Sequence, residues 1–379
     1  MFYYLIFLSL FWLFAGLEHF GQKKIWPVSF VLFVLVAGLR FETGWDWITY
    51  ESYFNGLDYL VNKEGSTLKM ELGFNLLIFM VKGLGGGFQG FLFVVSLLTS
   101  VFLTTFFFKT VGSRIAFCLA VFYSFLYLAL NMTMMRQALS CAIECASIFF
   151  LMRQQVFYAV FFWILACLIH TSSIVFGGVF LYVMMRCPSF MIIKIYIICS
   201  VVGVFSFLFE FGFFSFLLSL FENVKLGFIT DKISIYLSQD LHGSPSLGGL
   251  FYLFLNVAFG IYHQIRFFSN SYYFRVETFF LLLTCIAMGF FLDFAILWSR
   301  LQFLSVVIVC VALSRVMEDD QTQKKAMIFV LSLVVSVAVH VYQLGRPKMD
   351  VFFPYYSIVH VMLGVDLPDG RARYNNLLE

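Results

Sequence analysis

The sequence predicts an all-α, polytopic helical membrane protein with about thirteen transmembrane segments. Hydrophobic residues make up 62% of the chain and charged residues only 12%, whereas soluble domains average about a quarter charged residues. The apolar residues recur in runs of about 20, the length at which a helix crosses a bilayer and satisfies its own backbone hydrogen bonds. We therefore expect residues 1–379 to form a single integral membrane domain.

The spans alternate between loops rich in lysine and arginine and loops that carry few of them, and the basic loops are predicted to be cytoplasmic. The first span lacks a basic start and a small-residue cleavage site, so we expect it to be retained. The predicted spans are residues 1–20, 25–39, 88–108, 115–130, 135–152, 156–169, 174–185, 195–208, 248–262, 276–292, 301–313, 326–342 and 351–365, with an inner tail after the last.

Three segments between spans are predicted to lie on the outer side of the membrane. Residues 41–70 and 210–247 form outer loops, the first with a short amphipathic helix. Residues 71–87 hold a dozen mostly apolar residues followed by a glycine-rich stretch. A dozen residues is short for a crossing, so we expect a re-entrant or interfacial helix there.

Isolated ionisable residues gather on the predicted outer side, where the positive-inside rule does not account for them. They are Arg40, Asp46, Glu71, Arg136, His170, Asp293 and Arg300. Each has an ordinary alternative: an arginine can snorkel to the interface, a histidine followed by hydroxyl residues can cap a helix, and acids can pair with nearby arginines. Three arginines on one face nevertheless suit phosphate oxygens, because a guanidinium group donates paired hydrogen bonds.

No metal and no cofactor is expected. The eight cysteines lie in or beside apolar runs and form no C-x-x-C pair, so we interpret them as small residues on helix surfaces. The chain also lacks an Asp-x-Asp motif and any clustered His and Asp spacing. An outer phosphate site would then depend on arginine rather than on a divalent ion.

Six short motifs, in this order, resemble the EpsG/Wzy-type polysaccharide polymerases over about residues 38–356. They are Gly38-Leu39-Arg40-x3-Gly44-x-Asp46-x3-Tyr50, Glu71-x-Gly73-Phe74, Met135-Arg136-Gln137-Ala138, Ile169-His170-Thr171-Ser172, Ser299-Arg300-Leu301 and Pro354-Tyr355. The chain departs from the family pattern at Trp45, Trp47 and Leu72. The resemblance implies a fold similar to the C-superfamily membrane glycosyltransferases.

The resemblance also implies a function. The protein would join undecaprenyl-diphosphate-linked oligosaccharide repeat units into O-antigen or exopolysaccharide at the outer face of the bacterial cytoplasmic membrane, with the lipid diphosphate as leaving group. Besides these glycans and the membrane lipid, a chain-length regulator and a flippase of the same pathway are expected partners, and nucleic acid is not. An O-antigen ligase, which shares the donor chemistry, and a membrane O-acyltransferase remain alternatives.

Roles follow for the residues of the motifs and their neighbours. We expect His170, Asp46 or Glu71 to take the acceptor proton, with His170 the leading candidate because histidine titrates near neutral pH. Asp46 would then position Arg40 or a sugar. The other expected roles are diphosphate binding by Arg40, Arg136 and Arg300, and substrate binding by Trp45, Tyr50, Lys69, Gln137 and Asp293.

Overall fold

The protein is described by a computed structural model. It covers residues 1–21, 24–62, 70–184, 189–213, 215–216, 247–267, 271–293, 295–319, 322–345, 351–365, 367 and 369–371. Over these residues the regular structure is helical, apart from one isolated antiparallel bridge between Arg40 and Ser357. Seven of the described helices are long and apolar enough to cross a membrane, and several shorter apolar helices accompany them. The predicted fold class is confirmed.

The described helices begin and end close to the predicted spans. Numbered α1 to α15 in chain order, they are Phe2–Gly21, Trp26–Gly38, Trp47–Asn62, Leu72–Gly83, Phe88–Thr110, Ile115–Leu130, Met135–Met152, Val156–Ile169, Gly178–Tyr182, Ser189–Leu208, Leu247–Phe267, Tyr272–Phe290, Ala295–Asp319, Thr322–Leu344 and Ile358–Met362. Helix α6 contains a π-helical turn at Tyr123–Tyr127, and a 3-10 segment, Thr171–Gly177, precedes α9.

The chain divides into two compact units. The first, which we call unit 1, comprises Met1–Leu151, Gln155–Phe176 and Cys310–Glu379, and unit 2 comprises Met152–Gln154 and Gly177–Val309. The single membrane domain expected over residues 1–379 stays a prediction.

Unit 1 is held together by polar contacts that bridge its apolar helices. The Trp12 indole of α1 donates to Ser124 Oγ of α6 at 3.2 Å, and Ser96 Oγ of α5 donates to the Val34 carbonyl of α2 at 2.9 Å. Because apolar side chains gain little from leaving lipid for a helix interface, contacts of this kind contribute to which helices associate.

The two ends of unit 1 are distinguished by what they contain. At one end, the Glu18 carboxylate accepts from the Ala116 amide at 2.8 Å and Glu318 lies 3.7 Å from Arg114. At the other end, the Arg40 guanidinium reaches the carbonyl of Asn131. We call the latter the Arg40 end, and the predicted outer residues of unit 1 lie there.

The segment that follows α14 stays at the Arg40 end. The Tyr4 hydroxyl donates to the Phe352 carbonyl at 3.0 Å, the Ile358 amide to the Leu39 carbonyl at 2.8 Å, and the Gly370 amide to Glu42 Oε2 at 2.8 Å. The predicted last span over residues 351–365, with its inner tail, is therefore wrong. Its helix has only five residues, and the backbone before that helix pairs with the chain that leaves α2.

Helix α4 has both of its ends near the Arg40 end. It begins after Glu71, and the Lys82 ammonium near its end lies 5.0 Å from the centroid of the Phe54 ring in α3. Helix α5 then begins at Phe88, and Gln89 donates to the Gly38 carbonyl at 2.9 Å. The re-entrant or interfacial helix expected over residues 71–87 stays a prediction.

Unit 2 contains α10, α11 and α12. The backbone of Gly289 in α12 lies so close to α10 that an added Cβ would meet the Cys199 carbonyl at 2.8 Å. His263 Nε2 and Glu277 Oε2 lie 2.9 Å apart, and both side chains are fully buried. After α12, Asp293 Oδ2 accepts from the amide and the hydroxyl of Ser215 at 3.1 and 3.0 Å.

Candidate active site

Glu71 lies at the centre of a cluster that joins three distant parts of the sequence. Its Oε2 accepts from Arg136 Nη1 at 2.8 Å. Its Oε1 lies 3.1 Å from His170 Nδ1 and accepts from the Thr171 amide and hydroxyl at 3.1 and 3.2 Å. Four donors therefore converge on one carboxylate, which couples a cation to a histidine.

Local backbone geometry brings the members of this cluster together. Glu71 precedes α4 in an extended conformation, and its carbonyl accepts the amide of Asn75 at 3.0 Å. His170 follows α8, also extended, with its amide bonded to the Ala166 carbonyl. Gly73 lies against that helix end, and an added Cβ would be 2.9 Å from the Leu168 carbonyl. Glycine thus permits the close approach that brings Glu71 to His170.

Aromatic rings flank the guanidinium group of Arg136 in the first turn of α7. Its Cζ lies 5.8 Å from the ring centroid of Tyr50 and 5.9 Å from that of Phe74, the range of a cation–π contact. Its Nε is buried and has no hydrogen-bond partner among the described residues. About a quarter of the side chain is exposed, so the group is fixed yet still reachable.

The protonation of the cluster follows from these contacts. Burial by itself raises the pKa of Glu71, but the hydrogen bonds from His170 and Thr171 and the charge of Arg136 outweigh it and hold that pKa well below its usual range. Glu71 is therefore a carboxylate at neutral pH and can only accept hydrogen bonds. His170 must then carry a proton on Nδ1, and Nε2 is the ring nitrogen left to exchange a proton with a substrate.

This arrangement can perform general base catalysis beside a cation. A carboxylate that fixes the tautomer of a histidine positions its other ring nitrogen for proton transfer. A nearby guanidinium stabilises negative charge that develops on a leaving group. Among the described residues, no three His, Cys, Asp or Glu side chains are grouped so as to hold a metal ion, and the expected independence from metal stays a prediction.

A pocket of about 120 Å³ also opens at the Arg40 end of unit 1. It is lined by Arg40, Phe41, Glu42, Thr43, Trp47, Glu51, Phe88, Gln89 and Leu92. Arg40 is almost fully buried, and its Nη1 donates to the carbonyls of Ala37 and Asn131. Its Nε and Nη2 have no hydrogen-bond partner in the part of the chain described. Burial lowers the pKa of Arg40 to about 10, which still leaves it cationic at neutral pH.

A family model described as the EpsG family matches residues 23–357. The chain belongs to the EpsG family. EpsG proteins are Wzy-type polysaccharide polymerases, so this is a multi-pass membrane protein with a role in polysaccharide polymerisation. Comparisons with curated proteins and with solved structures found no match.

Three of the residues singled out from the EpsG-like motifs, namely Glu71, Arg136 and His170, are brought into direct contact. Tyr50 adjoins this cluster through Arg136. Gln137, which follows Arg136 in the sequence, is buried. The structure therefore brings residues from four of the quoted motifs to one place, and their catalytic roles stay predictions.

The structure describes the surroundings of the other predicted residues only in part. Asp46 and Trp45 are half-buried just before α3. Asp293 belongs to unit 2 and contacts Ser215 there. Lys69 and the side chain of Arg300 lie outside the described residues.

The expected pairing of Arg40 with Asp46 is not seen among the described contacts. The Arg40 guanidinium instead bonds to the carbonyls of Ala37 in the last turn of α2 and of Asn131 after α6. A cation at the end of α2 is favoured by the partial negative charge of the helix C-terminus. The two carbonyls and the helix end therefore take the place of a carboxylate as partners of Arg40.

Sequence reasoning did not single out several residues of the pocket. No role is predicted from the sequence for Glu42, Glu51 or Gln89. Their sequence signals were weak, because Gln89 opens a long apolar helix and Glu42 and Glu51 lie in a segment already rich in charge. The positive φ of Glu42, 44°, is visible only in the structure.

Proposed function

We propose that this EpsG-family protein joins undecaprenyl-diphosphate-linked oligosaccharide repeat units into O-antigen or exopolysaccharide at the outer face of the bacterial cytoplasmic membrane. The observation that carries the proposal is the contact of Glu71 with both His170 and Arg136. It unites a proton acceptor with a cation, the two functions that glycosyl transfer from a diphosphate requires.

In the proposed reaction, His170 Nε2 takes the proton from a sugar hydroxyl of the acceptor unit. The hydroxyl oxygen attacks the anomeric carbon of the donor glycan and forms the new glycosidic bond. The bond from that carbon to the diphosphate oxygen breaks, and its electron pair leaves with the lipid diphosphate. Glu71 stabilises the imidazolium that forms on His170, since carboxylate and ring lie 3.1 Å apart.

Arg136 is the proposed partner of the leaving diphosphate. One of its nitrogens is bonded to Glu71, while its Nε is without a partner in the described structure. Arg300, whose side chain lies outside the described residues, is a further proposed contact. With arginine supplying the positive charge, the reaction is proposed to be independent of divalent metal, and polymerisation in membranes should continue in the presence of EDTA.

The outer location of the site is part of the proposal. It rests on the basic residues of the opposite loops, which the positive-inside rule places in the cytoplasm. In a cysteine-free background, Thr49→Cys at the Arg40 end should react with an impermeant maleimide in intact cells. Ser113→Cys, which is exposed at the opposite end, should react only after lysis. The reverse pattern would place the site in the cytoplasm.

The decisive experiment is analysis of surface polysaccharide in a deletion strain complemented with the full-length protein. A polymerase deletion loses the long-chain ladder but keeps single repeat units attached, and the wild-type protein restores the ladder. Loss of every attached repeat unit would identify a ligase. An intact ladder with altered acylation would identify an O-acyltransferase in which His170 is the base.

A further inference from the structure

The pocket at the Arg40 end differs in chemistry from the Glu71 cluster. It combines one guanidinium, from Arg40, with two carboxylates, from Glu42 and Glu51. The indole of Trp47 and the ring of Phe88 supply apolar walls. Both carboxylates already have partners, the Gly370 amide for Glu42 and the Arg371 guanidinium for Glu51 at 3.0 Å, so the groups of the pocket that call for a ligand are those of Arg40.

Its polar groups offer both donors and acceptors. Arg40 Nε and Nη2 are buried donors that no described residue satisfies. Gln89 uses its amide nitrogen on the Gly38 carbonyl, which leaves the amide oxygen as an acceptor that no described donor occupies. Buried donors of this kind carry a cost unless a ligand or water bonds to them. A ligand that satisfies these groups must accept hydrogen bonds from Arg40 and donate hydrogen bonds to the oxygens around it.

Charge excludes one obvious candidate. Arg371 pairs with Glu51 and Glu42 lies beside Arg40, so the pocket has no net positive charge to hold a diphosphate, whose own charge the two carboxylates would oppose. Sugar hydroxyls avoid this conflict because each can both donate and accept a hydrogen bond. The apolar rings of Trp47 and Phe88 can cover the C–H faces of a sugar.

Size sets a second limit. Pockets that enclose a drug-sized molecule measure about 300–1,000 Å³, whereas this one measures about 120 Å³. It suits one sugar ring and not an isoprenoid chain or a whole oligosaccharide.

The geometry points to a subsite for one neutral sugar ring of the glycan substrate, bound between Arg40, Glu51 and Gln89. This assigns Arg40 to sugar recognition in place of the diphosphate contact expected from the sequence. Helix α3 connects the subsite to the reacting groups, because Trp47 and Glu51 line the pocket while Tyr50 between them adjoins Arg136. The inference rests on the proposed function, since a glycan substrate is what brings a sugar to this position.

The test is calorimetric binding to the purified full-length protein in detergent. The probes are the oligosaccharide repeat unit of the host polysaccharide, freed of lipid and phosphate, and inorganic pyrophosphate. We expect the oligosaccharide to bind, with affinity reduced about tenfold by Glu51→Gln and by Gln89→Leu, the scale of one lost hydrogen bond to a charged group. The control Glu318→Gln, at the opposite end of unit 1, should bind normally.

Three results would overturn the inference. The oligosaccharide could fail to bind, or its affinity could be unchanged in both pocket variants. Alternatively, pyrophosphate could compete with the oligosaccharide, and compete more strongly in the Glu51→Gln variant. Two pocket variants are used so that one misfolded protein cannot decide the outcome. These results can be distinguished from a failure of the proposed function. If the protein were a ligase that handles the same glycan, it would still bind the oligosaccharide, but the deletion strain would lose its attached repeat units.

Discussion

Replacing Glu71 by glutamine tests the centre of the proposed active site. The carboxylate accepts four hydrogen bonds, one of them from a guanidinium at 2.8 Å. The amide of the variant keeps one acceptor oxygen and directs a donor at either Arg136 or His170. Hydrogen bonds to charged groups contribute about 1.5–3 kcal/mol, and the partly exposed pair places the loss near the lower value. We expect destabilisation of about 2 kcal/mol.

The effect on rate should be at least as large. The single amide oxygen cannot hold both Arg136 and His170 as the carboxylate does, and the imidazolium formed during proton transfer loses its counter-charge. A loss of about 2 kcal/mol in the transition state slows polymerisation about thirtyfold. The assay is polymerisation by membranes that contain equal amounts of each protein, with Glu318→Gln as the matched control. A Glu71→Gln variant that polymerises at the wild-type rate would refute the assigned role.

The pH dependence of stability has a definite sign. The pKa of Glu71 is depressed in the folded protein, so its contribution is fully present above the unfolded value of about 4.3 and is lost as pH falls through the folded value. The part of the stability difference between wild type and Glu71→Gln that comes from the carboxylate should therefore shrink as the pH falls below about 4. Thermal unfolding of the purified proteins measures it, and a difference that grew in acid would contradict the sign.

Three further predictions concern single residues. In His170→Gln, the glutamine side chain can form hydrogen bonds but cannot take a proton near neutrality, so polymerisation should slow about 100-fold or more. A near-normal rate with an unchanged pH profile would show that the role of His170 is structural. Arg136→Lys keeps the charge but loses the planar fork, so polymerisation should fall at least about tenfold, which a normal polysaccharide ladder would exclude. Gly44→Ala should lower stability by about 1–3 kcal/mol, because φ is +104° and the new Cβ would clash with the Met132 carbonyl. Gly56→Ala, with open space around it, is the control in thermal unfolding.

The helical architecture was predictable because hydropathy and length determine it. Helices α1, α5, α7 and α8 begin and end within a few residues of the expected spans. The shared location of Glu71, Arg136 and His170 was predictable for a related reason. Each lies at the end of an apolar run, and alternation of the spans puts those three ends on one side.

Contacts between distant segments were not predictable. Residues 351–365 are apolar enough to suggest a span, but a backbone bridge from Ser357 to Arg40 holds the segment beside the loop after α2. Pairing between residues more than 300 positions apart leaves no local periodicity to detect. The same limit hid the pocket, whose walls come from α3, α5 and the loop between α2 and α3.

Proximity in sequence was also misleading at Arg40. Six residues separate it from Asp46, which suggests a pair, yet the chain between them turns through positive φ values at Glu42 and Gly44. The turn leaves the guanidinium inside the bundle against the Asn131 carbonyl, while the Asp46 side chain is half-buried just before α3. Backbone conformation, which residue type only weakly specifies, decided the partner.

Glu71 contacts both the proposed base, His170, and the proposed diphosphate-binding cation, Arg136. Arg136 donates to one carboxylate oxygen while His170 and Thr171 occupy the other. When a diphosphate binds Arg136, it competes with Glu71 for the guanidinium and leaves more negative charge on the carboxylate. The carboxylate is then better able to stabilise the imidazolium that forms on His170 during proton transfer. Donor binding would thereby prepare the base for the acceptor hydroxyl, which physically favours a reaction in which the donor binds first.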